Sequence, residues 1–374
     1  MAKKKKKSDL KITSLSKIRG QFSSGLASNI CLPPDKQLWL PSRSLMLNHT
    51  LGGGIPYGRI AEIFGTESSG KTLIAQDFGY VAQKLGGIIL WNDAEQSFTP
   101  YWAEQNGLDT SRIELCNEVA VEYVSDWLLD MVVYYRSKLV NNEPILFIQD
   151  STAALDCLEN INSRQKDSKA EMGNRAKAIY KMVRIRNKML TELGVISIFI
   201  NQIRQKVGAS KFEDPDTTPG GNAMKFYAAQ RIGAYAGAQV KGMVKGYEDR
   251  VGVETSIRLK KNKVAPPRPT FRTKIYFNTE YRMPVGIDRY EGLPEVLLNL
   301  GVVEKRGNTF YYKDDKICIG QKNFVEKIRG DADLRKQLLK SAPIHTLSKL
   351  KKQLKGINEN LYKIGPEKYE RHDE

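Results

Sequence analysis

The run Gly65-Thr66-Glu67-Ser68-Ser69-Gly70-Lys71-Thr72 fits the pattern G-x-x-x-x-G-K-[ST]. Such a loop suits phosphate chemistry. Its glycines let backbone N–H groups turn toward phosphate oxygens, and the N-terminus of a following helix adds a favourable dipole. Lys71 reaches the β and γ phosphates, and the Thr72 hydroxyl is a ligand for Mg²⁺. Two carboxylates fall where a ligand site in an alternating strand and helix protein lies, at the ends of apolar runs. Asp150 ends Ile145–Gln149 and suits holding Mg²⁺ through water. Glu95 follows Ile88–Asn92 and has the chemistry of a base that orients a hydrolytic water. Asn201-Gln202 ends a third run, where Gln202 can touch a γ-phosphate and report its presence to the next segment. That segment, 204–221, is long, basic and glycine-containing. It suits either a nucleic-acid backbone or a mobile substrate lid.

The elements that must position these residues follow from periodicity. Arg59–Phe64 reads as a strand before the glycine loop, and Leu73–Leu85 as an amphipathic helix after it. Gly87–Asp93, Pro144–Asp150 and Val195–Asn201 read as buried strands. Val121–Leu139 and the basic Ala176–Leu193 read as helices between them. Short apolar runs separated by helical patterns predict a largely parallel sheet covered on both faces. Beyond residue 230 the pattern favours strands, at Ser256–Lys260 and Arg272–Phe277. From about 287 it shifts to short helices and a hairpin over Thr309–Ile319. At the other end, residues 1–45 read as a basic tail, a short helix over Ser14–Phe22 and a proline-containing connector.

Composition narrows the function classes. Lys and Arg total 59 against 42 Asp and Glu, a formal net charge of +17. Basic stretches at Lys3–Lys7, Arg164–Lys188 and Lys349–Lys355 are spread along the chain, which fits a long polyanion better than one phosphate ligand. No apolar run approaches the roughly 18 residues of a membrane helix. No signal-peptide pattern follows the basic N-terminus, so a reducing, cytoplasmic location is expected. Four widely spaced cysteines and three histidines give no zinc or disulfide framework.

The motifs in order are the glycine loop, Asp93-Ala94-Glu95, Asp150-Ser151, Asn201-Gln202-Ile203-Arg204, Gly220-Gly221-Asn222-Ala223-Met224-Lys225-Phe226-Tyr227-Ala228 and Lys261-Asn262-Lys263-Val264-Ala265. Together they closely resemble the bacterial RecA recombinase family, over about residues 45–290. The resemblance implies a RecA-like α/β core, a P-loop ATPase with a mostly parallel central sheet flanked by helices. That core would span 46–286, preceded by an N-terminal helical and oligomerisation segment over 1–45. A small basic α+β C-terminal domain would follow over 287–374. It implies ATP and Mg²⁺ as cofactors, single-stranded DNA and a homologous duplex as partners, and a homo-oligomeric helical filament in a bacterial or phage-infected cell. Single-strand-binding and loading proteins are possible further partners.

The same resemblance assigns residues. Glu95, Lys71 and Gln202 would carry catalysis, with Gly65, Glu67, Ser68, Ser69, Gly70, Lys71 and Thr72 on the nucleotide and Thr72 and Asp150 on the metal. Trp102 would stack on the adenine ring. Lys261 and Lys263 would reach across to a neighbouring subunit's ATP, and Phe22 and Phe226 would lie at the subunit interface. DNA contacts would come from Met172, Lys177 and Arg184, and from Arg204, Lys206, Val207, Gly208, Gly220, Gly221 and Asn222. The sequence also departs from the family. Its first DNA loop is about two residues longer and its second about one, so contacts near 158–171 and 209–216 do not carry over. Tyr235-Ala236 stands where some relatives have two arginines, with Arg258 and Lys260 as candidates to replace them. The C-terminus, Tyr369–Glu374, is acidic but short. Three rival functions share parts of this pattern. A hexameric helicase would form closed rings, a DNA-coating mediator would need no water-activating Glu95, and a small-molecule kinase would ignore DNA.

Overall fold

The computed structural model describes residues 36–163, 169–205, 216–266, 268, 270–357 and 360–362. Residues from Leu38 onward form one contact unit, separate from Met1–Gln37. Phe22, Lys206, Val207 and Gly208 lie outside the described residues, as do the helix expected over 14–22 and the acidic terminus.

A nine-stranded sheet organises the described residues. Its strands are β1 (Ile60–Gly65), β2 (Ile88–Asp93), β3 (Ile113–Cys116), β4 (Ile145–Asp150), β5 (Ile196–Gln202), β6 (Gln230–Val244), β7 (Tyr247–Asn262), β8 (Phe271–Tyr276) and β9 (Gly286–Ile287). The order across the sheet is β9-β8-β7-β6-β1-β5-β4-β2-β3. From β6 to β3 all neighbours are parallel, while β6 to β9 are joined antiparallel. The apolar runs predict this arrangement because β1, β2 and β4 are buried at every position, as parallel strands covered on both faces must be.

The helices are α1 (Leu45–Leu51), α2 (Lys71–Lys84), α3 (Pro100–Gln105), α4 (Val121–Lys138), α5 (Leu158–Asn162), α6 (Lys169–Glu192) and α7 (Ala223–Tyr227). In α2 the residues Ile74, Ala75, Phe78, Val81 and Ala82 are buried, a stripe at helical spacing that packs on the sheet. A Cβ on Gly79 would come 2.9 Å from Ile89 Cδ1, which shows how closely α2 approaches β2. On the opposite face, Val124, Leu128 and Val132 of α4 and Ile179, Val183 and Leu190 of α6 close over Leu90 and Phe147. Ile89 and Leu90 thus point to opposite layers, as alternate residues of a strand do.

Two expectations are revised in extent. α6 begins at Lys169, seven residues before the expected Ala176. The hairpin β6–β7 has strands of 15 and 16 residues, far beyond the expected Ser256–Lys260. Its outer part has little apolar alternation and is held by the antiparallel ladder from Gln239↔Val253 to Val244↔Tyr247. After β9, α8 (Leu293–Asn299) leads to a three-stranded meander of β10 (Glu304–Arg306), β11 (Thr309–Tyr312) and β12 (Asp315–Ile319). Helices α9 (Gln321–Gly330), α10 (Ala332–Ser341) and α11 (Leu347–Gly356) are the last elements among the described residues. Among the described residues no helix is long and apolar enough to cross a membrane.

Candidate functional site

The glycine loop joins the end of β1 to the start of α2. Its path needs glycine at both ends. A Cβ on Gly65 would lie 1.7 Å from the Ala234 carbonyl oxygen, and Gly70 has φ +81 with a hypothetical Cβ 2.5 Å from Ile275 Cδ1. The loop is braced from inside and from β6 and β7. Ser69 Oγ donates to the Thr66 carbonyl at 2.8 Å, Thr255 Oγ1 donates to the Ser69 carbonyl at 3.1 Å, and the Ala236 amide donates to Thr66 Oγ1 at 3.0 Å. Glu67 and Ser68 are exposed on its rim, while Ser69 is buried. Lys71 Nζ donates to the carbonyls of Gly65 at 3.3 Å and Thr66 at 2.7 Å. Burial lowers its pKa, and Asp150, Glu95 and Glu67 pull it back up. The free N–H groups of the first turn of α2, with this ammonium, form a cradle for anionic oxygens.

The register of the parallel strands brings the acids to this cradle. Asp93 of β2 lies level with Asp150 of β4. Thr72 Oγ1 donates to Asp150 Oδ2 at 3.0 Å. Burial raises the Asp150 pKa to about 7, against the Thr72 hydrogen bond, which lowers it. A hydroxyl beside a carboxylate raised by burial is a hard oxygen pair that fits a divalent cation, whose charge would favour the ionised acid. Glu95 lies one turn further on. Its Oε1 accepts from the Ser151 hydroxyl and from Gln202 Nε2, the latter at 3.3 Å. Three of the expected residues, Glu95, Gln202 and Asp150, therefore meet beside Lys71 and Thr72. Asp93 serves differently: its Oδ2 accepts from the Phe98 amide at 2.6 Å and so fixes the turn that carries Glu95.

A cavity of about 390 Å³ opens next to Thr72 and Asp150. Trp102 and Phe277 both line it, together with Gln76 and Phe98. Trp102 is 42% exposed, and the Trp91 and Phe98 rings meet edge to face at 5.1 Å. Aromatic walls suit a flat heterocycle. The sequence reading includes Trp102 but misses Phe277 and Ser151. Phe277 directly follows β8, and Ser151 directly follows Asp150. Ser151 enters the sequence reading only as the second residue of the Asp150-Ser151 motif, with no role given to it.

Gln202 also connects to the end of the 204–221 segment through its neighbour. Asn201 Nδ2 donates to the Pro219 carbonyl at 3.0 Å and to Glu62 Oε1 at 3.1 Å, and Arg231 Nε pairs with Glu62 Oε2 at 2.5 Å. Gly220 and Gly221 have φ of +89 and +68, and a Cβ on Gly221 would sit 3.2 Å from Ala176 Cβ. The end of the second loop thus leans on α6, and Asn222 is exposed at the start of α7. On α6, Lys177 and Arg184 are both exposed. Lys181 and Lys188 are exposed too, and the four make one stripe at helical spacing, so sequence reasoning found half of it. The backbone of Met172 belongs to α6 and that of Arg204 to a two-residue strand paired with Asp216–Thr217; both side chains lie outside the described set.

Lys261 and Lys263 are not brought to the glycine loop of their own chain. Lys261 pairs with Arg231, which lies level with Glu62, three residues before Gly65. Its Nζ donates to the carbonyls of Lys225 at 2.6 Å and Phe226 at 3.3 Å. Burial and then Lys263 lower its pKa to about 8. Beside it the Phe226 ring is 63% exposed. These residues form a basic and apolar outer surface of the protomer.

Comparison with known proteins agrees with this geometry. The family described as RecA N-terminal domain matches residues 12–281. The chain is similar to Protein RecA of Thermus aquaticus, at 32% identity over 330 residues covering 87% of this chain and 90% of that one. It is also similar to Protein RecA of Streptococcus pneumoniae, at 36% identity over 286 residues covering 76% of this chain and 69% of that one.

Proposed function

The chain belongs to the RecA family, and on that premise we propose that it is an ATP-dependent DNA strand-exchange recombinase. It forms a helical filament on single-stranded DNA and pairs that strand with a homologous duplex, in a bacterial or phage-infected cell. Residues 46–286 act as the ATPase and DNA-binding core, and 287–374 as a small C-terminal domain.

One arrangement supports this reading most directly. Glu95 accepts a hydrogen bond from Gln202, and the adjacent Asn201 holds Pro219 at the base of the second loop. The group that would activate water is thus two residues from a contact with the segment that would meet DNA. In the proposed reaction, Lys71 and the first turn of α2 hold the β and γ phosphates. Thr72 and Asp150 would hold Mg²⁺, which when bound would neutralise charge on the phosphates. Trp102 and Phe277 take the adenine between them. Glu95 draws the proton from the attacking water, and Ser151 and Gln202 orient its carboxylate. Gln202 senses the γ-phosphate. Lys177, Arg184 and the glycines at 220–221 hold the DNA backbone, so sequence preference is weak and base pairing supplies specificity.

The test is ATP hydrolysis with and without single-stranded DNA, in the native chain and in Lys71→Ala and Glu95→Ala. Strong stimulation by DNA, lost in both variants, is expected. Turnover indifferent to DNA would overturn the proposal. Electron microscopy of the ATP-bound sample on DNA is expected to show open helical filaments, and closed rings would point to a helicase instead.

A further inference from the structure

Residues 151–154, directly after β4, form a turn in which the Ala154 amide donates to the Ser151 carbonyl at 3.3 Å. Ser151 and Thr152 are buried there. At the start of the turn the Ser151 hydroxyl donates to Glu95 Oε1. Gln149 Nε2 donates to the Ser151 carbonyl at 3.4 Å, and the Thr152 amide donates to the Ile200 carbonyl of β5 at 2.8 Å. The turn is thus tied to two strands of the sheet and carries one of the two groups that meet the Glu95 carboxylate.

Its other side faces α6 and the end of the 204–221 segment. Arg175 Nη2 donates to the Ala153 carbonyl at 2.8 Å. One helical turn further along α6, Ile179 reaches the same place. A Cβ on Gly220 would stand 3.4 Å from Ile179 Cδ1 and 3.5 Å from Thr152 Cγ2. Both segments proposed to meet DNA therefore converge on the residues that hold Ser151.

The two sides of α6 do different things. Each helical residue is rotated by about 100° from the last, so Arg175 and Lys177 point about 200° apart. Lys177 is exposed with Lys181 and Arg184, while Arg175 is partly buried and turned to Ala153. A guanidinium on a carbonyl makes a charge-assisted, directional hydrogen bond. Only Thr152 separates that carbonyl from Ser151, so a displacement of α6 passes to the serine without a long chain of contacts. Such displacements matter at a reacting centre, where about 1 Å can cost about a hundredfold in rate.

We propose that Arg175 is a positioning residue that links DNA on α6 to hydrolysis, by holding the 151–154 turn so that Ser151 stays on Glu95. The inference rests on the recombinase reading and deepens it. DNA phosphates on Lys177 and Arg184 add contacts that fix α6, so the guanidinium meets the Ala153 carbonyl more of the time with DNA than without it. Losing the guanidinium then costs the DNA-saturated rate more than the DNA-free rate.

The test is steady-state ATP hydrolysis by the full-length chain, with and without saturating single-stranded DNA. The variants are Arg175→Met, Arg175→Lys, Ser151→Ala and Arg175→Met combined with Ser151→Ala. In Arg175→Met the ratio of DNA-saturated to DNA-free kcat is expected to fall about fivefold, with KM for ATP unchanged. Arg175→Lys still offers donors to a single carbonyl and should restore most of the ratio. Arg175→Met should lower the DNA-saturated kcat of Ser151→Ala no further, because the arginine acts through the serine. Equal falls with and without DNA overturn the proposal, and so does a full further loss in the combined variant. DNA binding across a salt series should be unchanged in Arg175→Met. A slope smaller by about 0.7 would make Arg175 a phosphate contact instead and overturn the positioning role. A native chain that DNA does not stimulate overturns the recombinase reading and this inference together. Native stimulation that Arg175→Met keeps overturns this inference alone. Should Arg175→Met fail to fold, the shorter Arg175→Gln takes its place.

Discussion

At the scale of single residues, the proposed hydrolytic centre rests on hydrogen bonds between elements far apart in sequence. Glu95 Oε1 receives both Ser151 and Gln202. A general base contributes about 10²–10⁴ in rate, so Glu95→Gln is expected to lower DNA-stimulated turnover at least about a hundredfold. Binding of a fluorescent ATP analogue should be retained. Ser151→Ala removes only one donor to a charged acceptor, and a loss nearer about tenfold in kcat with unchanged KM is expected. Turnover in Ser151→Ala equal to the native rate would show that Gln202 alone orients the carboxylate. Gly65 makes a different demand. The Ala234 carbonyl stands 1.7 Å from where a Cβ would go, so Gly65→Ala must move β1 away from β6. A loss of about 3 kcal/mol in denaturant unfolding is the expected result. Glu95 and Gly65 are legible in the sequence because each belongs to a short motif whose chemistry needs its residue type. Ser151 belongs to such a motif too, beside Asp150, but its role is not legible, because its contact with Glu95 depends on the register that sets Asp93 level with Asp150.

At the scale of elements, periodicity identifies what is buried and loses what is not. The runs at β1, β2, β4 and β5 are readable because both of their faces are covered. The outer half of β6–β7 is not, since Lys241, Met243, Tyr247 and Arg250 are exposed and only a small cluster around Val244, Val251 and Tyr276 is buried there beside the cross-strand ladder. Phe277 is missed for a related reason: its place in the cavity that Trp102 lines depends on three successive strand pairings, β1–β6 parallel and β6–β7 and β7–β8 antiparallel. The start of α6 is obscured because the stretch before Ala176 has no apolar period. That helix carries the clearest prediction at this level. Lys177, Lys181, Arg184 and Lys188 share one exposed stripe. If all four meet phosphates, each contributes about 0.7 to the slope of log K against log salt for single strands. Lys181→Gln with Lys188→Gln is expected to reduce that slope by about 1.4 and to weaken binding equally for unrelated sequences. Fluorescence anisotropy across a salt series measures it, and an unchanged slope would confine the contacts to Lys177 and Arg184.

For the whole molecule, the question is how one protomer meets the next. Lys261 and Phe226 stand together on the outside of the protomer, with the Lys261 ammonium held by the carbonyls of α7. In a filament that surface would face the neighbouring subunit's nucleotide, and the lysine would have to be charged to meet a phosphate. Its pKa in the isolated protomer is lowered to about 8 by burial and by Lys263. A phosphate partner would raise it. The assembled state then binds the proton more tightly than the free protomer, so assembly takes up a proton wherever the free lysine has lost it. Below pH 8 the contact costs nothing in protonation. Above pH 8 each unit weakens it by up to about tenfold per subunit contact, until the pKa of the assembled state is reached. Filament formation with ATP, followed by light scattering from pH 6.5 to 9.5, is expected to fall on the alkaline side. Lys261→Arg keeps its charge throughout this range and should flatten the fall, even if the longer side chain lowers assembly overall. A fall of equal steepness in Lys261→Arg would assign the titration to another group and remove Lys261 from the contact between subunits.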